Sequence, residues 1–325
     1  MNAGDDRRWL AAAAALAERA RVRSAPNPAV GCVIVRDGVV VGRGWTQPGG
    51  RPHAEARAIE RAGARARGAT LYTTLEPCAH ASPRGPACAD LIPAAGIVRV
   101  VIGVRDPDPR TDGRGAARLR DAGVDVVLFD DSASRRSLAG FLTRQQLGRP
   151  HVTLKLALSL DGGVAMADGR SQWITGEAAR AHAQVERSRH DAILVGRGTF
   201  DADRPRLDVR LPGLASRSPA RIVLTRHPLP DDAAGWTAID AVERIDALPG
   251  NHLMVEGGAV TAAAFLAADR VDRLLIYRAP IVIGGARGLP DIGLTDLNAA
   301  HGCWQAHDTR MLGSDRVEVY ERVRN

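Results

Sequence analysis

Apolar and polar positions along this chain fall into two successive rounds of strand-like and helix-like stretches. Residues 9–23 are rich in Ala and stop ahead of Pro26, the pattern of a helix ended by a proline. Apolar runs at 30–35 and 39–45 flank Asp37-Gly38, a turn dipeptide, and predict a β-hairpin. A helix over 53–64, a strand over 69–75 and a helix over 87–95 follow, then strands over 97–104 and 124–129 around a helix over 116–122. Near residues 144–150 the pattern restarts. Strands are expected over 151–160, 191–195, 220–225, 252–256, 271–277 and 316–321, with helices over 178–189 and 260–268. Residues 211–218 read as a surface loop, and there is no internal repeat. The expected architecture is therefore α/β twice over, in domains spanning 1–148 and 149–325.

Composition narrows the class. A chain of 325 residues with 45% apolar and 25% charged residues suits two globular domains. No apolar run approaches the ~20 residues of a membrane span. The Ala-rich 10–17 is short and follows Asp5 and Asp6, where a signal peptide would be basic. A cytoplasmic protein with no membrane partner is expected. Four cysteines are too few for a disulfide framework. Cys32, inside an apolar run, reads as a small core residue, and Cys303 receives no role. The net charge of +7 could signal nucleic acid, but the arginines are scattered and aromatics are only 4%. An Arg-rich composition with some arginines serving phosphorylated small molecules is the simpler reading, so no nucleic-acid partner is expected.

The candidate chemistry begins at Pro52-His53-Ala54-Glu55 and is answered downstream by Cys78 and Cys88. One imidazole and two thiolates can hold Zn²⁺ with a fourth position open to water, and Glu55, beside the metal but not on it, can carry protons. Cys88 falls at a helix start, which favours a thiolate. Nine residues separate the two cysteines, against two in the common deaminase signature. A closed site, with His80 as fourth ligand, or two unrelated core cysteines are the alternatives. In the second half, Glu256-Gly257-Gly258 links a strand to a helix, and Gly196-Arg197-Gly198-Thr199 ends another strand. Such turns let a phosphate approach backbone N–H groups, although a plain strand-to-helix turn reads the same. No G-x-G-x-x-G follows a strand, so a Rossmann dinucleotide fold is disfavoured.

Longer motifs carry a resemblance. Pro26-Asn27-Pro28-Ala29-Val30-Gly31-Cys32, Pro52-His53-Ala54-Glu55, Leu75-Glu76-Pro77-Cys78-Ala79-His80 and Asp106-Pro107 stand in the first half. Lys155-Leu156-Ala157, Ser159-Leu160-Asp161-Gly162, Ser171-Gln172-Trp173-Ile174-Thr175, Asp191-Ala192-Ile193-Leu194-Val195-Gly196 and Val255-Glu256-Gly257-Gly258 stand in the second. Together they resemble the bifunctional riboflavin-biosynthesis deaminase/reductase family over nearly the whole chain, and in that family the wide cysteine spacing is normal. The resemblance implies a cytidine-deaminase-like zinc domain followed by a dihydrofolate-reductase-like domain using NADPH. The first would hydrolyse the 2-amino group of 2,5-diamino-6-ribosylamino-4(3H)-pyrimidinone 5′-phosphate. There His53, Cys78 and Cys88 would hold zinc, Glu55 would shuttle protons, and Asn27, His80 and Arg84 would hold the substrate. The second would reduce the ribosyl group to ribityl. By family position Ala157, Trp173, Thr199, Asp203, Gly257, Gly258, Ala259, Val260 and Thr261 would line the NADP site. Lys155, Ser171, Arg187, Leu207, Arg210 and Glu256 would hold the phosphorylated substrate. Apart from the resemblance, Arg226 after the strand over 220–225 or Arg197 between the glycines of the other strand end could face a 2′-phosphate, because a guanidinium pairs with phosphate in two-point geometry. A homo-oligomer is expected.

The departures from the family pattern are Thr46 where a His is usual, a loop of residues 81–87 one residue longer with Gly85 in place of Thr, Arg204 inside an Asp-Asp-Pro run, and Thr225 in place of Asp. Thr46 is expected to weaken substrate affinity. A paralogue serving a specialised metabolite, a nucleic-acid-editing protein on the same zinc fold and an inactive scaffold are the competing readings.

Overall fold

The computed structural model describes residues 3–80, 84–285 and 287–324. The chain forms two compact units, Met1–Gly148 and Arg149–Asn325.

The first unit runs α1 (Ala3–Ala17), β1 (Gly31–Arg36), β2 (Val39–Trp45), α2 (Ala54–Ala62), β3 (Thr70–Thr73), α3 (Cys88–Ala94), β4 (Arg99–Ile102), α4 (Arg114–Asp121), β5 (Asp125–Leu128), α5 (Ser132–Ser137) and α6 (Ala139–Leu147). Its sheet has the order β2-β1-β3-β4-β5, with β1 antiparallel to both neighbours and β3, β4 and β5 parallel. Alternation along β1 builds two cores. Val33 and Val35 pack with Leu10 and Ala13 of α1, while Cys32 and Ile34 pack with Ala54 and Ala58 of α2 and Ile92 of α3. Cys32 is a buried core residue. Glycine decides how closely α2 lies on the sheet: a Cβ on Gly44 would come within 2.0 Å of the Ala54 carbonyl oxygen. Helix α1 ends at Ala17, short of the expected 23. Residues 18–23 form turns despite favourable helix formers, a case of tertiary context overriding propensity.

The second unit contains β6 (His151–Leu158), α7 (Glu177–Arg187), β7 (Ala192–Gly196), α8 (Arg197–Asp203), β8 (Ala220–Leu224), β9 (Trp236–Ile239), β10 (His252–Val255), α9 (Ala259–Ala267), β11 (Arg273–Arg278), β12 (Trp304–Leu312) and β13 (Asp315–Arg322). The sheet order is β12-β13-β11-β6-β10-β7-β8-β9. The six strands from β11 to β9 in that order are parallel, so their carboxyl ends share one edge. Leu253 and Val255 face a core with Phe265 of α9, and Met254 faces the other core beneath α7. Strands β9 and β12 were not expected from the sequence. Both are edge strands, and β12 is largely exposed, so neither carries a clean apolar alternation. Among the described residues no helix is long and apolar enough to cross a membrane.

Asp272 ties this unit together. It accepts from Arg149 Nη1 (2.6 Å) and Nη2 (2.9 Å) and from the Val152 N–H (2.8 Å), all buried. Burial works to raise its carboxyl, and Arg149 outweighs that, leaving it at about 2. Because this lies below the ordinary ~3.9, the pair's stabilisation is present above about pH 4 and is lost as the pH falls through about 2. Asp272→Asn should cost about 3–5 kcal/mol at neutral pH, since Arg149 is left buried without its partner. Urea unfolding at pH 7 and near pH 2 checks this: the gap between variant and parent should narrow in acid.

Candidate active sites

In the first unit the donors converge. His53 is the N-cap residue of α2, placed by the close packing of that helix on β2. Cys78 lies five residues past the end of β3, and Cys88 opens α3. His53 Nδ1 lies 3.5 Å from Cys78 Sγ and 3.4 Å from Cys88 Sγ. A tetrahedral zinc with Zn–S near 2.3 Å and Zn–N near 2.05 Å requires an N···S edge of about 3.6 Å. The donors therefore fit the metal. Among the described residues these three alone form such a cluster, and His80 stands outside it, so the closed-site alternative fails. The Cys78 thiol is lowered to about 3, first by Cys88 beside it and then by His53. Cys88 is raised by that same Cys78 sulfur and by its burial.

Glu55, in the first turn of α2, is 3% exposed. Burial pushes its carboxyl up to about 7, against the pull of His53. A carboxyl poised near neutrality beside the donor cluster can both take and give a proton. Asn27 Nδ2 donates to the Gly50 carbonyl (3.2 Å) and lies 3.4 Å from His53 Nε2. Arg84 Nη2 donates to the Gly49 carbonyl (2.7 Å), so the arginine is anchored on the loop preceding His53. His80 Nδ1 is buried without a hydrogen-bond partner. Residues 81–83 of the lengthened loop lie outside the described residues. Thr46 is buried, and its hydroxyl accepts from the Val30 N–H (3.0 Å). That side chain serves the strand end, and an imidazole there would forfeit the bond.

In the second unit the two glycine-bearing strand ends are neighbours, because β7 and β10 pair directly. Thr199 Oγ1 accepts from the Gly258 N–H (3.2 Å) and joins them. Thr261, expected to line a cofactor site, is instead buried under both turns. A Cβ on Gly196 would meet its Oγ1 at 2.0 Å, and one on Gly257 its Cβ at 2.5 Å. Val260 and Ala259 open α9 beside it, Val260 77% exposed. Gln172 Nε2 donates to Asp203 (3.1 Å), tying the segment with Ser171 and Trp173 to the end of α8. Trp173 is 69% exposed, with the Arg180 guanidinium over its ring. A cleft of about 430 Å³ at the end of β8 is lined by Arg197, Arg226, His227 and Asp240. Arg197 is engaged by Asp201 (2.7 Å) and the Pro228 carbonyl (2.9 Å). Thr225 exchanges hydrogen bonds with the backbone of His227 and shapes the turn.

Beneath α7 lies a charged cluster. Arg187 Nε and Nη2 each donate to the Glu256 carboxylate at 2.8 Å. Burial acts to raise Glu256, and Arg187 overrides it, holding the carboxyl below its ordinary value. The two-point face of Arg187, expected on a phosphate, is thus occupied by Glu256. Leu207, also expected at the substrate, has its side chain buried in the core with Phe200 and Tyr277. Arg210 is half-exposed and touches Asp208 (3.2 Å). Lys155 and Ala157 share a face of β6, and Lys155 Nζ stands 5.8 Å from the Tyr277 ring centroid. Lys155 is the only lysine of the chain, amid 44 basic residues. That singularity is a signal in the sequence that motif reading passed over.

Zinc-dependent deaminases are the class defined by the first unit, and the second is an α/β unit whose two glycine-bearing strand ends and cleft lie at the carboxyl edge of its parallel strands, where open α/β sheets bind ligands. Known proteins agree. The family profile described as "Cytidine and deoxycytidylate deaminase zinc-binding region" matches residues 3–104, and "RibD C-terminal domain" matches residues 150–312. Riboflavin biosynthesis protein RibD of Escherichia coli (strain K12) is 39% identical over 333 residues, covering 87% of this chain and 90% of that one. Its namesake in Mycobacterium tuberculosis (strain ATCC 25618 / H37Rv) is 40% identical over 307 residues, 89% of each. The structure of Acinetobacter baumannii RibD (form 1) superposes with a TM-score of 0.86 at 32% identity over 99% of both chains. The diaminohydroxyphosphoribosylaminopyrimidine deaminase/5-amino-6-(5-phosphoribosylamino)uracil reductase of Thermotoga maritima gives 0.85 at 30% identity, covering 98% of this chain and 99% of that one. The chain belongs to the RibD family of riboflavin-biosynthesis deaminase/reductases, with a cytidine-deaminase-type zinc-binding unit followed by a RibD C-terminal unit.

Proposed function

We infer that this protein carries out two consecutive steps of riboflavin biosynthesis. It deaminates 2,5-diamino-6-ribosylamino-4(3H)-pyrimidinone 5′-phosphate and then reduces the ribosyl group of the product to ribityl with NADPH. The observation that carries this reading is the fit of His53, Cys78 and Cys88 to zinc beside the unligated, buried Glu55. Zinc, when bound, lowers the pKa of water and makes it a nucleophile near neutral pH. Glu55 takes the proton released as oxygen adds to C2 and delivers it to the nitrogen that leaves as ammonia. Asn27, His80 and Arg84 orient the substrate, Arg84 toward its phosphate.

In the reductase the chemistry that NADPH would supply when bound is a hydride for the ribosyl C1′. The ring oxygen must gain a proton as the C–O bond opens, and Lys155 is assigned to hold that proton. Glu256 and Arg187 keep the pocket polar, while Ser171 and Arg210 take the phosphorylated end. Ala157, Trp173, Thr199, Asp203 and the Gly257-Gly258-Ala259-Val260 turn are assigned to the cofactor. Of the two arginines considered for the 2′-phosphate, Arg226 is favoured, because Arg197 is already engaged. Arg226→Ala should raise the KM for NADPH and leave that for NADH unchanged. Steady-state rates with both cofactors decide this, and equal effects would remove Arg226 from the assignment.

Four free cysteines suit the reducing cytoplasm, and a homo-oligomer is the proposed active form. The direct test incubates the purified protein with zinc and substrate, with and without NADPH, and identifies products by mass. Exchange of an amine for oxygen without NADPH, followed by hydrogen gain with it, is expected. NADPH consumption with the amine retained would overturn the deaminase assignment.

A further inference from the structure

A short helix behind the two thiolates touches both segments that carry them. Glu76, two residues before Cys78, is buried, and its carboxylate accepts from three backbone N–H groups. Gly113 (3.0 Å) and Asp106 (3.3 Å) donate to Oε2, and Ala116 (2.9 Å) donates to Oε1. Gly113 is the N-cap residue of α4, so Glu76 satisfies N–H groups that a helix start leaves without partners. One residue further on, the Pro77 carbonyl oxygen lies against Gly115, where a Cβ would come within 2.0 Å. Later in the same helix, Arg118 Nη1 donates to the Ala79 carbonyl (2.9 Å), adjacent to Cys78. Arg118 Nε also pairs with Asp90 (2.7 Å), two residues past Cys88 in α3.

We propose that Glu76 and Arg118 are positioning residues for zinc: through α4 they hold the Cys78 segment and α3 at the spacing the metal requires. Neither side chain is a donor to the metal. A metal site whose donors are already in place binds more tightly, because binding does not have to order them. Partners standing behind the ligands commonly change metal affinity about 10–100-fold. The rival account is ordinary structural adhesion, which would weaken folding of the metal-free protein as much as it weakens metal binding. Arg118 separates the two. Its pair with Asp90 is half-exposed on both sides, and exposed pairs contribute little to folding.

The proposal rests on His53, Cys78 and Cys88 being the zinc ligands. Zinc dissociation constants of the full chain, measured by competition with a chromophoric chelator, are compared for the parent, Cys88→Ser, Glu76→Gln, Arg118→Ala and Arg118→Lys. Metal-free melting temperatures and the visible spectra of the cobalt-loaded proteins are recorded alongside. Glu76→Gln and Arg118→Ala should each weaken zinc about tenfold or more and alter the cobalt spectrum. Metal-free Arg118→Ala should melt with the parent, and Arg118→Lys should recover part of the affinity. Unchanged affinity in both variants, or a loss matched by equal loss of metal-free stability, would overturn the proposal. If Glu76→Gln does not fold, Arg118→Ala decides alone. Parent-like zinc binding by Cys88→Ser would instead reject the ligand assignment itself.

Discussion

Glu55→Gln is expected to lower deamination by about 10²–10⁴-fold while the chain still holds about one zinc. The variant keeps the shape and burial of the side chain but cannot accept a proton. The donors at His53, Cys78 and Cys88 are untouched, because Glu55 is outside the cluster they form. Reduction of an already deaminated substrate should proceed at the parent rate. Zinc content by emission spectroscopy, together with ammonia release, checks the expectation. Loss of the metal, or turnover close to the parent's, would move Glu55 out of the proton-transfer role.

The second large effect is expected at the ion pair beneath α7. Arg187→Met should destabilise the reductase unit by about 3–5 kcal/mol, because it leaves the Glu256 carboxylate buried and without its counter-charge. Reductase activity should vanish with it, and zinc should stay bound to the other unit. Replacing both partners, as Arg187→Met with Glu256→Leu, should restore much of the stability, since two apolar groups carry no desolvation penalty. The activity should not return. Urea transitions of the two variants test this, and Arg187→Met as stable as the parent would mean that Glu256 does not depend on Arg187.

The same pair illustrates what the sequence could and could not disclose. His53, Glu55, Cys78 and Cys88 were legible because their chemistry demands particular residue types in short motifs, and the turn at Gly257-Gly258 because only glycine tolerates Thr261 beneath it. The alternation of apolar residues located the central strands for an equally local reason. Arg187 and Glu256 were both recognisable as polar groups at a site, yet nothing along the chain says that two residues 69 positions apart spend their charge on each other. Family position placed Leu207 and Thr261 at ligands, and the sequence did not disclose that packing buries both side chains. Glu76 escaped notice because its partners are backbone N–H groups, which every residue type supplies. Edge strands β9 and β12 escaped because one side of each meets solvent or no neighbour, which relaxes the alternation that reveals a buried strand.

The solitary lysine has a consequence for spectroscopy. Reductive methylation with ¹³C-formaldehyde reaches primary amines and leaves guanidinium groups alone, so in this arginine-rich chain it would label Lys155 and the terminal α-amine only. The α-amine signal is recognised by its own titration near 8. The remaining resonance comes from a dimethylammonium above the Tyr277 ring, where the ring current displaces it from a solvent-exposed value. On the proposed assignment of Lys155 to the reductase site, cofactor or substrate binding would move that one line, giving an occupancy readout with no need for turnover, crystals or a fluorescent analogue.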